Sequence, residues 1–119
     1  MSFYKRILSH SSNLAINSNM TYKQLLSHST VLASQLQPLL TSHKRVAYLL
    51  ERDPAYPICQ IATWQAQACA IPLSTQSTRS ELEYVLSDSA PEVVVCDPKY
   101  YDLVSGLRPS VIPYEYKED

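Results

Sequence analysis

Val46-Ala47-Tyr48-Leu49-Leu50, apolar at every position and bounded by Arg45 and Glu51, constrains the fold more than any other stretch of the chain. A strand with one wet face alternates apolar and polar residues. A strand without alternation is buried on both faces, as in a parallel sheet covered by helices on each side. Val93-Val94-Val95-Cys96 repeats the signature. Ala70-Ile71-Pro72-Leu73 and Val111-Ile112 read as two further strands, and Pro72 places the former at a strand end or on an edge.

Helix signals fill the spaces between these runs. Thr21 is an N-cap with Gln24 three residues on, a capping box opening a helix over Thr21 to Leu40. Leu25, Ser29, Leu32, Ala33, Leu36 and Leu40 fall on its inner stripe, and Pro38 marks its last turn. Asp53-Pro54 reads as an N-cap followed by proline at the first helical position, with Pro57 still in the first turn. From Ile58 to Ala68 that helix is apolar nearly all round (Ile58, Cys59, Ile61, Ala62, Trp64, Ala66), so the expectation is deep burial. Thr78-Arg79-Ser80-Glu81 is a second capping box, with Leu82, Val85 and Leu86 facing inward and an Arg79–Glu83 pair along the surface. Asp97-Pro98 repeats the Asp-Pro start, and Gly106 ends that segment as the residue after the C-cap. Strand and helix alternate throughout. The fold class is therefore α/β: three layers, a parallel sheet of about four strands, helices on both faces. With 119 residues, one domain is the expectation.

Glycine usage narrows the function. Gly106 stands alone, where average usage of about 7% would give roughly eight. No phosphate loop of the G-x-x-x-x-G-K type, no G-x-G-x-x-G fingerprint and no G-x-S-x-G elbow exists in the chain. Cys59, Cys69 and Cys96 form no C-x-x-C, and His10, His28 and His43 are scattered far from them; buried free thiols in a reducing compartment are expected rather than a disulfide or zinc site. A net charge of −1 gives no argument for nucleic acid, and no apolar run reaches the roughly 20 residues of a membrane span. The charge is unevenly placed: no Asp or Glu precedes Glu51. That basic, Ser-rich start reads either as a mitochondrial transit peptide or as part of a domain already folded from Phe3. The helix start at Thr21 favours the second reading and a cytoplasmic protein, with mitochondrial location as the alternative.

Several residue groups invite a chemical reading, and each has a plainer one. Ser74-Thr75-Gln76-Ser77-Thr78 sits between a strand end and a helix start, where α/β proteins bind anions. With no Gly and no Lys it reads as a connecting loop and cap. Lys44-Arg45 is a phosphate contact or a solvated strand entry. Asp53, Asp88 and Asp97 are metal ligands or helix-end residues. Ser27-His28-Ser29 puts a nucleophile beside a base, but adjacent helical residues do not face each other. Trp64, Tyr48, Tyr56 and Tyr84 stack on an adenine or, as expected here, fill the core and cover sheet faces. No catalytic, cofactor-binding or metal residue is assigned.

The ordered words carry more than the alternation does. Thr21-Tyr22-Lys23-Gln24-Leu25-Leu26 followed by Arg45-Val46-Ala47-Tyr48-Leu49-Leu50 resembles the opening of the adenylate-forming superfamily, in which a T-Y-x-x-L helix precedes an R-V-A strand. Ala66-Gln67-Ala68-Cys69-Ala70-Ile71-Pro72-Leu73 is similar to its A-G-A-x-x-x-P-L block, and Glu81-Leu82-Glu83-Tyr84-Val85-Leu86-Ser87-Asp88-Ser89 to its E-L-x-Y-x-L-x-D-S block. Asp53-Pro54-Ala55-Tyr56 and Ala62-Thr63-Trp64 look most like the malonyl-CoA synthetase branch of the AMP-forming acyl-CoA synthetases. The resemblance covers roughly residues 3 to 105. It implies a partial amino-terminal domain over 1–119, whose residues 106–119 are a strand remnant and polar tail, from an enzyme that activates a carboxylic acid with ATP and Mg²⁺ and passes the acyl group to CoA. The family's phosphate loop, aromatic-Gly-x-Thr-Glu block, ribose-binding Asp and late catalytic Lys have no counterpart before Asp119. The chain by itself is thus expected to be inactive. Its expected partner is the remainder of a synthetase or another protein chain, docked on an exposed sheet surface or strand edge. The family's Gly is Gln67 here, at a position expected to have positive φ.

Overall fold

In the computed structural model, which describes residues 14–16, 20–107 and 109–116, the chain runs through β1 (Leu14–Ile16), β2 (Met20–Thr21), α1 (Tyr22–Leu36), β3 (Arg45–Leu49), α2 (Ala55–Gln65), β4 (Cys69–Pro72), α3 (Arg79–Ser89), β5 (Val93–Cys96), α4 (Tyr101–Val104) and β6 (Ser110–Pro113). The expected folded start at Phe3, His10 and the end of the polar tail, 117–119, lie outside the described residues. The two continuous apolar runs, β3 and β5, stand side by side as the central strands of a four-stranded sheet ordered β4-β3-β5-β6. All three of its pairings are parallel, with Ala47 opposite Ile71 and Val94, and Val94 opposite Val111. The α/β expectation holds. An antiparallel pair, β1–β2, precedes the first helix and has no counterpart in the sequence signals.

Successive strand residues feed opposite faces. Val46, Tyr48 and Leu50 of the β3 run, with Val93 and Val95, point into a core shared with α1 and α2. Ala47 and Leu49, with Val94 and Cys96, point into a second core under α3 and α4. Both faces of the sheet are therefore covered by helices, which removes the exposed sheet surface expected for a partner. Only the edges remain. Both edge strands are four residues long and end in proline, Pro72 in β4 and Pro113 in β6. Proline lacks the N–H that a strand added from outside would use, so neither edge is a good template.

Capping works largely as the residues dictate. Thr21 Oγ1 accepts the Gln24 N–H at 3.1 Å while Gln24 Oε1 accepts the Thr21 N–H at 2.8 Å. Thr78 and Glu81 make the same reciprocal pair. Asp53 Oδ1 accepts the Ala55 N–H at 2.8 Å and Asp97 Oδ1 the Lys99 N–H at 3.0 Å, so both Asp-Pro pairs start helical turns, the second a 3-10 turn over Pro98–Tyr100. Pro54 takes the N-cap position expected for Asp53, so α2 starts one residue later than the sequence implies. Pro38 sits in a 3-10 turn, Gln37–Leu39, that ends α1.

With a single glycine, left-handed positions fall to other residues. Gly106 has φ 81, while Lys44, Gln67 and Ala90 have φ of 52, 59 and 49. Gln67 takes the conformation that the A-G-A comparison calls for. Left-handed backbone costs an L-residue about 1 kcal/mol or more relative to glycine.

Candidate functional site

β3 connects to β4 on one side of the sheet, and the chain then returns across β3 to place β5 on the other. The strand order reverses between β3 and β5. In open α/β sheets the crevice outside the carboxyl ends of the strands at such a point is where ligands bind. The residues that emerge there are Glu51 after β3 and Asp97, Lys99 and Tyr100 after β5.

These side chains converge. Lys99 Nζ lies 2.8 Å from Glu51 Oε1, and the Tyr100 hydroxyl donates to the same carboxylate oxygen. Lys99 Nζ also stands over the Tyr100 ring, 5.3 Å from its centroid. The hydrogen bond from Lys99, then that from Tyr100, holds the Glu51 carboxyl below its ordinary value. The same contact with Glu51 raises Lys99 and Tyr100, each favouring its protonated form. At neutral pH the cluster is thus an ammonium and a phenol donating to one carboxylate. Lys99 is 58% exposed, so water screens the pair and its worth to the fold is small.

The opposite end of the sheet is built differently. Glu92, just before β5, accepts the Thr41 N–H and the Lys44 N–H, each at 2.6 Å, and the Thr41 hydroxyl. It clamps the loop that leads into β3, and the contact with Thr41 holds its carboxyl below the ordinary range. A groove of about 410 Å³ beside it is floored by Leu39, Leu86, Pro91 and Pro109 and rimmed by His43 and Ser87. It lies at the amino end of the strands, away from the switch point.

The candidate residues separate as follows. Within the Ser74–Thr78 loop, Ser74 Oγ accepts the Gln76 N–H at 3.1 Å and Thr78 caps α3, while the Thr75 side chain hydrogen-bonds Tyr100 and so brings the loop to the cluster. Lys44 is clamped through its backbone. Arg45 is not a solvated entry: its guanidinium donates to the Ser89 carbonyl at 2.9 Å, at the carboxyl end of α3, where a cation is favoured. Asp53 and Asp97 cap helical turns, and Asp88 is exposed on α3. Ser29 is buried and donates to the Leu25 carbonyl at 2.7 Å, while the His28 ring meets Tyr116 edge-on at 5.2 Å between centroids. Ser27, His28 and Ser29 form no catalytic unit.

Tyr48 fills the core, its ring edge-on to Tyr56 at 5.0 Å and its hydroxyl accepting from Gln60 at 3.0 Å; burial pushes it up to about 12. Trp64, Tyr84 and Val85 depart from expectation, at 48%, 74% and 38% exposure. An all-apolar helix has no face that sequence alone marks as inner, and Trp64 falls on the outer one. Cys59 and Cys96 are the buried free thiols expected, raised by burial to about 12 and about 11. Cys69 is exposed, since it opens an edge strand. Arg79 does not pair with Glu83. Its guanidinium donates across to the Asp102 and Ser105 carbonyls, at 2.6 and 2.8 Å, and ties α3 to α4.

A nucleotide or Mg²⁺ does not fit these groups. Among the described residues no three of His, Cys, Asp and Glu come together to hold a metal ion. Asp53 and Asp97 each accept a backbone N–H through Oδ1, and the Lys99 ammonium is paired with Glu51. Among the same residues, no helix is long and apolar enough to cross a membrane.

Comparison with known proteins agrees with this architecture. The family model described as AMP-binding enzyme matches residues 6–114. Malonate–CoA ligase ACSF3, mitochondrial, of Xenopus laevis is 38% identical over 93 residues, which are 73% of this chain and 16% of that relative. The human ligase of the same name is 34% identical over 64 residues, 54% of this chain and 11% of the ligase. Among solved structures, apo MatB from Rhodopseudomonas palustris is similar with TM-score 0.76 and 26% identity over 91% of this chain and 24% of MatB; its ATP-bound form has TM-score 0.70 and 29% identity over 76% and 19%. The chain therefore spans about one sixth of the length of the Xenopus relative.

Proposed function

Because the chain belongs to the AMP-binding enzyme family, we propose that it is the amino-terminal scaffold of an AMP-forming acid–CoA ligase of the malonyl-CoA type, a piece that carries none of the reacting groups itself. The observation behind this reading is a coincidence of extent: the family match over residues 6–114 and the structural likeness to MatB over 91% of the chain describe the same parallel sheet and its helices. ATP, Mg²⁺ and CoA enter through the rest of such an enzyme. Adenylation and thioester formation need positioned cations and N–H donors around a phosphoryl group, and the Glu51–Lys99–Tyr100 cluster is internally satisfied. What this chain supplies is a rigid pair of central strands and the loops at their carboxyl ends. The mitochondrial label of the ACSF3 relatives supports a mitochondrial location over a cytoplasmic one.

The test is a chimera in which residues 6–114 replace the matching segment of MatB, assayed for malonate-dependent exchange of pyrophosphate into ATP. Exchange by the chimera and none by the 119-residue chain alone is the expected pattern. A folded chimera without exchange, or turnover by the chain alone, overturns the reading.

A further inference from the structure

A carboxylate stands at each end of the sheet, and the two are satisfied differently. Glu51 is paired with the Lys99 ammonium. Glu92 is held by neutral donors: the Thr41 N–H and hydroxyl on Oε2, and the Lys44 N–H on Oε1. These donors, Thr41 first, hold its carboxyl below the ordinary range, so it is charged at neutral pH. Among the described residues no ammonium or guanidinium forms an ion pair with it. A carboxylate offers about four acceptor positions, so Oε1 keeps one free after these contacts.

The groove that Glu92 lines suits an apolar body attached to a cation. Its volume of about 410 Å³ falls in the range of small-molecule sites, roughly 300–1,000 Å³. Leu39, Leu86, Pro91 and Pro109 give it an apolar floor, and among the described residues no Lys or Arg lines it. Ser87 and Ala90, also on its wall, belong to the last turn of α3 and its C-cap. The partial negative charge of a helix carboxyl end adds to that of Glu92 and favours a cation. Arg45, the cation at this helix end, donates to the Ser89 carbonyl and does not line the groove. We infer that the groove is a binding site for a small organic amine, with its ammonium on Glu92 Oε1 and its apolar body on the floor. A carboxylate or phosphate of the same size meets like charge there. The site lies at the amino end of the strands, so it goes beyond the ligase reading and does not rest on it.

The test is a titration of the isotope-labelled chain with phenethylamine, phenethyl alcohol and hydrocinnamate, probes of similar size that differ in charge. Binding is read from the amide shifts of His43, Ser87 and Ser110, all of which line the groove. Saturable shifts are expected with the amine, with a dissociation constant of about 1 mM for a ligand so small. The alcohol should bind about tenfold more weakly, because it lacks the charge-assisted hydrogen bond, and hydrocinnamate should not bind. Glu92→Gln removes the charge but also disturbs the Thr41 and Lys44 contacts, so a second pair of variants decides. Ser87 is exposed on the wall. Ser87→Lys sets an ammonium there with the Glu92 contacts intact and is expected to weaken the amine about tenfold, while Ser87→Gln should leave it unchanged. No saturable shift at the three amides, equal affinity for amine and alcohol, or equal binding by the two Ser87 variants overturns the inference.

Discussion

The layer of α1 and α2 and the layer of α3 and α4 cover the same two central strands by different means. The first is held by packing. Leu32, Leu36, Ile58 and Tyr48 meet in one continuous core, and its capping box, Thr21 with Gln24, is uncharged. The second has a thinner core, and α4 is a single turn of four residues. It leans on directional contacts instead: Arg79 to two carbonyls, Arg45 to Ser89, and Thr78 with the carboxylate of Glu81. Where apolar area runs short, hydrogen bonds fix the geometry that packing fixes elsewhere, and they bring titratable groups with them.

The largest expected effect probes the two cores. Leu32→Ala and Leu82→Ala remove side chains from fully buried sites, and each is expected to cost about 2–5 kcal/mol in denaturant unfolding. Leu32→Ala should be the more costly, since its neighbours form the larger cluster. A reversed order would break the contrast between the layers. Loss of a cap comes next: Thr21→Ala and Thr78→Ala should each cost about 1 kcal/mol at neutral pH. Acid then separates them. The Thr78 backbone and side-chain hydrogen bonds hold the Glu81 carboxyl below its ordinary value of 4.5. Its contribution is present above that pH and disappears as pH falls through the lowered folded value. Glu92 and Glu51 behave alike. Protection of the amides, taken relative to the free-peptide exchange rate at the same pH, should therefore fall in α3 and α4 first below pH 4.5, while α1, with no acid of its own, keeps its protection. Simultaneous loss in both layers would contradict this.

Smaller effects sharpen the picture. Gln67→Gly and Ala90→Gly relieve left-handed backbone, with an expected gain of up to about 1 kcal/mol each in thermal unfolding, less the added freedom of the unfolded chain. The smallest change is expected at Glu51→Gln. It breaks an exposed ion pair, so the melting temperature should hardly move, while the Tyr100 phenol, titrated by absorbance, should shift down once the carboxylate that raises it is gone. An unshifted phenol would mean that the cluster does not form in solution.

What could be read from the residues was mostly local. Unbroken apolar runs identified β3 and β5, and Thr-x-x-Gln, Thr-x-x-Glu and Asp-Pro marked the helix starts, because those signals depend on neighbours a few positions away. The contacts that shape the two ends of the sheet join residues far apart in the chain: Tyr100 and Glu51 are separated by 49 positions, Glu92 and Thr41 by 51. No local pattern announces such pairs. Arg79 departs from its expected pairing for the same reason, since a nearby Glu83 is visible in sequence and the carbonyls of Asp102 and Ser105 are not. Trp64 and Val85 are exposed against expectation for a different one: on short helices rich in apolar residues, more than one stripe satisfies the helical period.

The position of β3 at the heart of the sheet also bears on how the chain folds. It borders both β4 and β5, and every pairing in the sheet is parallel, so none of these contacts arises from a tight hairpin. The β3–β4 pairing needs a crossover through α2 to close, and the β3–β5 pairing a longer one through α2, β4 and α3. With β3 shared by both of these pairings and held by α1 and α2, the expectation is that the packed layer nucleates folding and the hydrogen-bonded layer completes it.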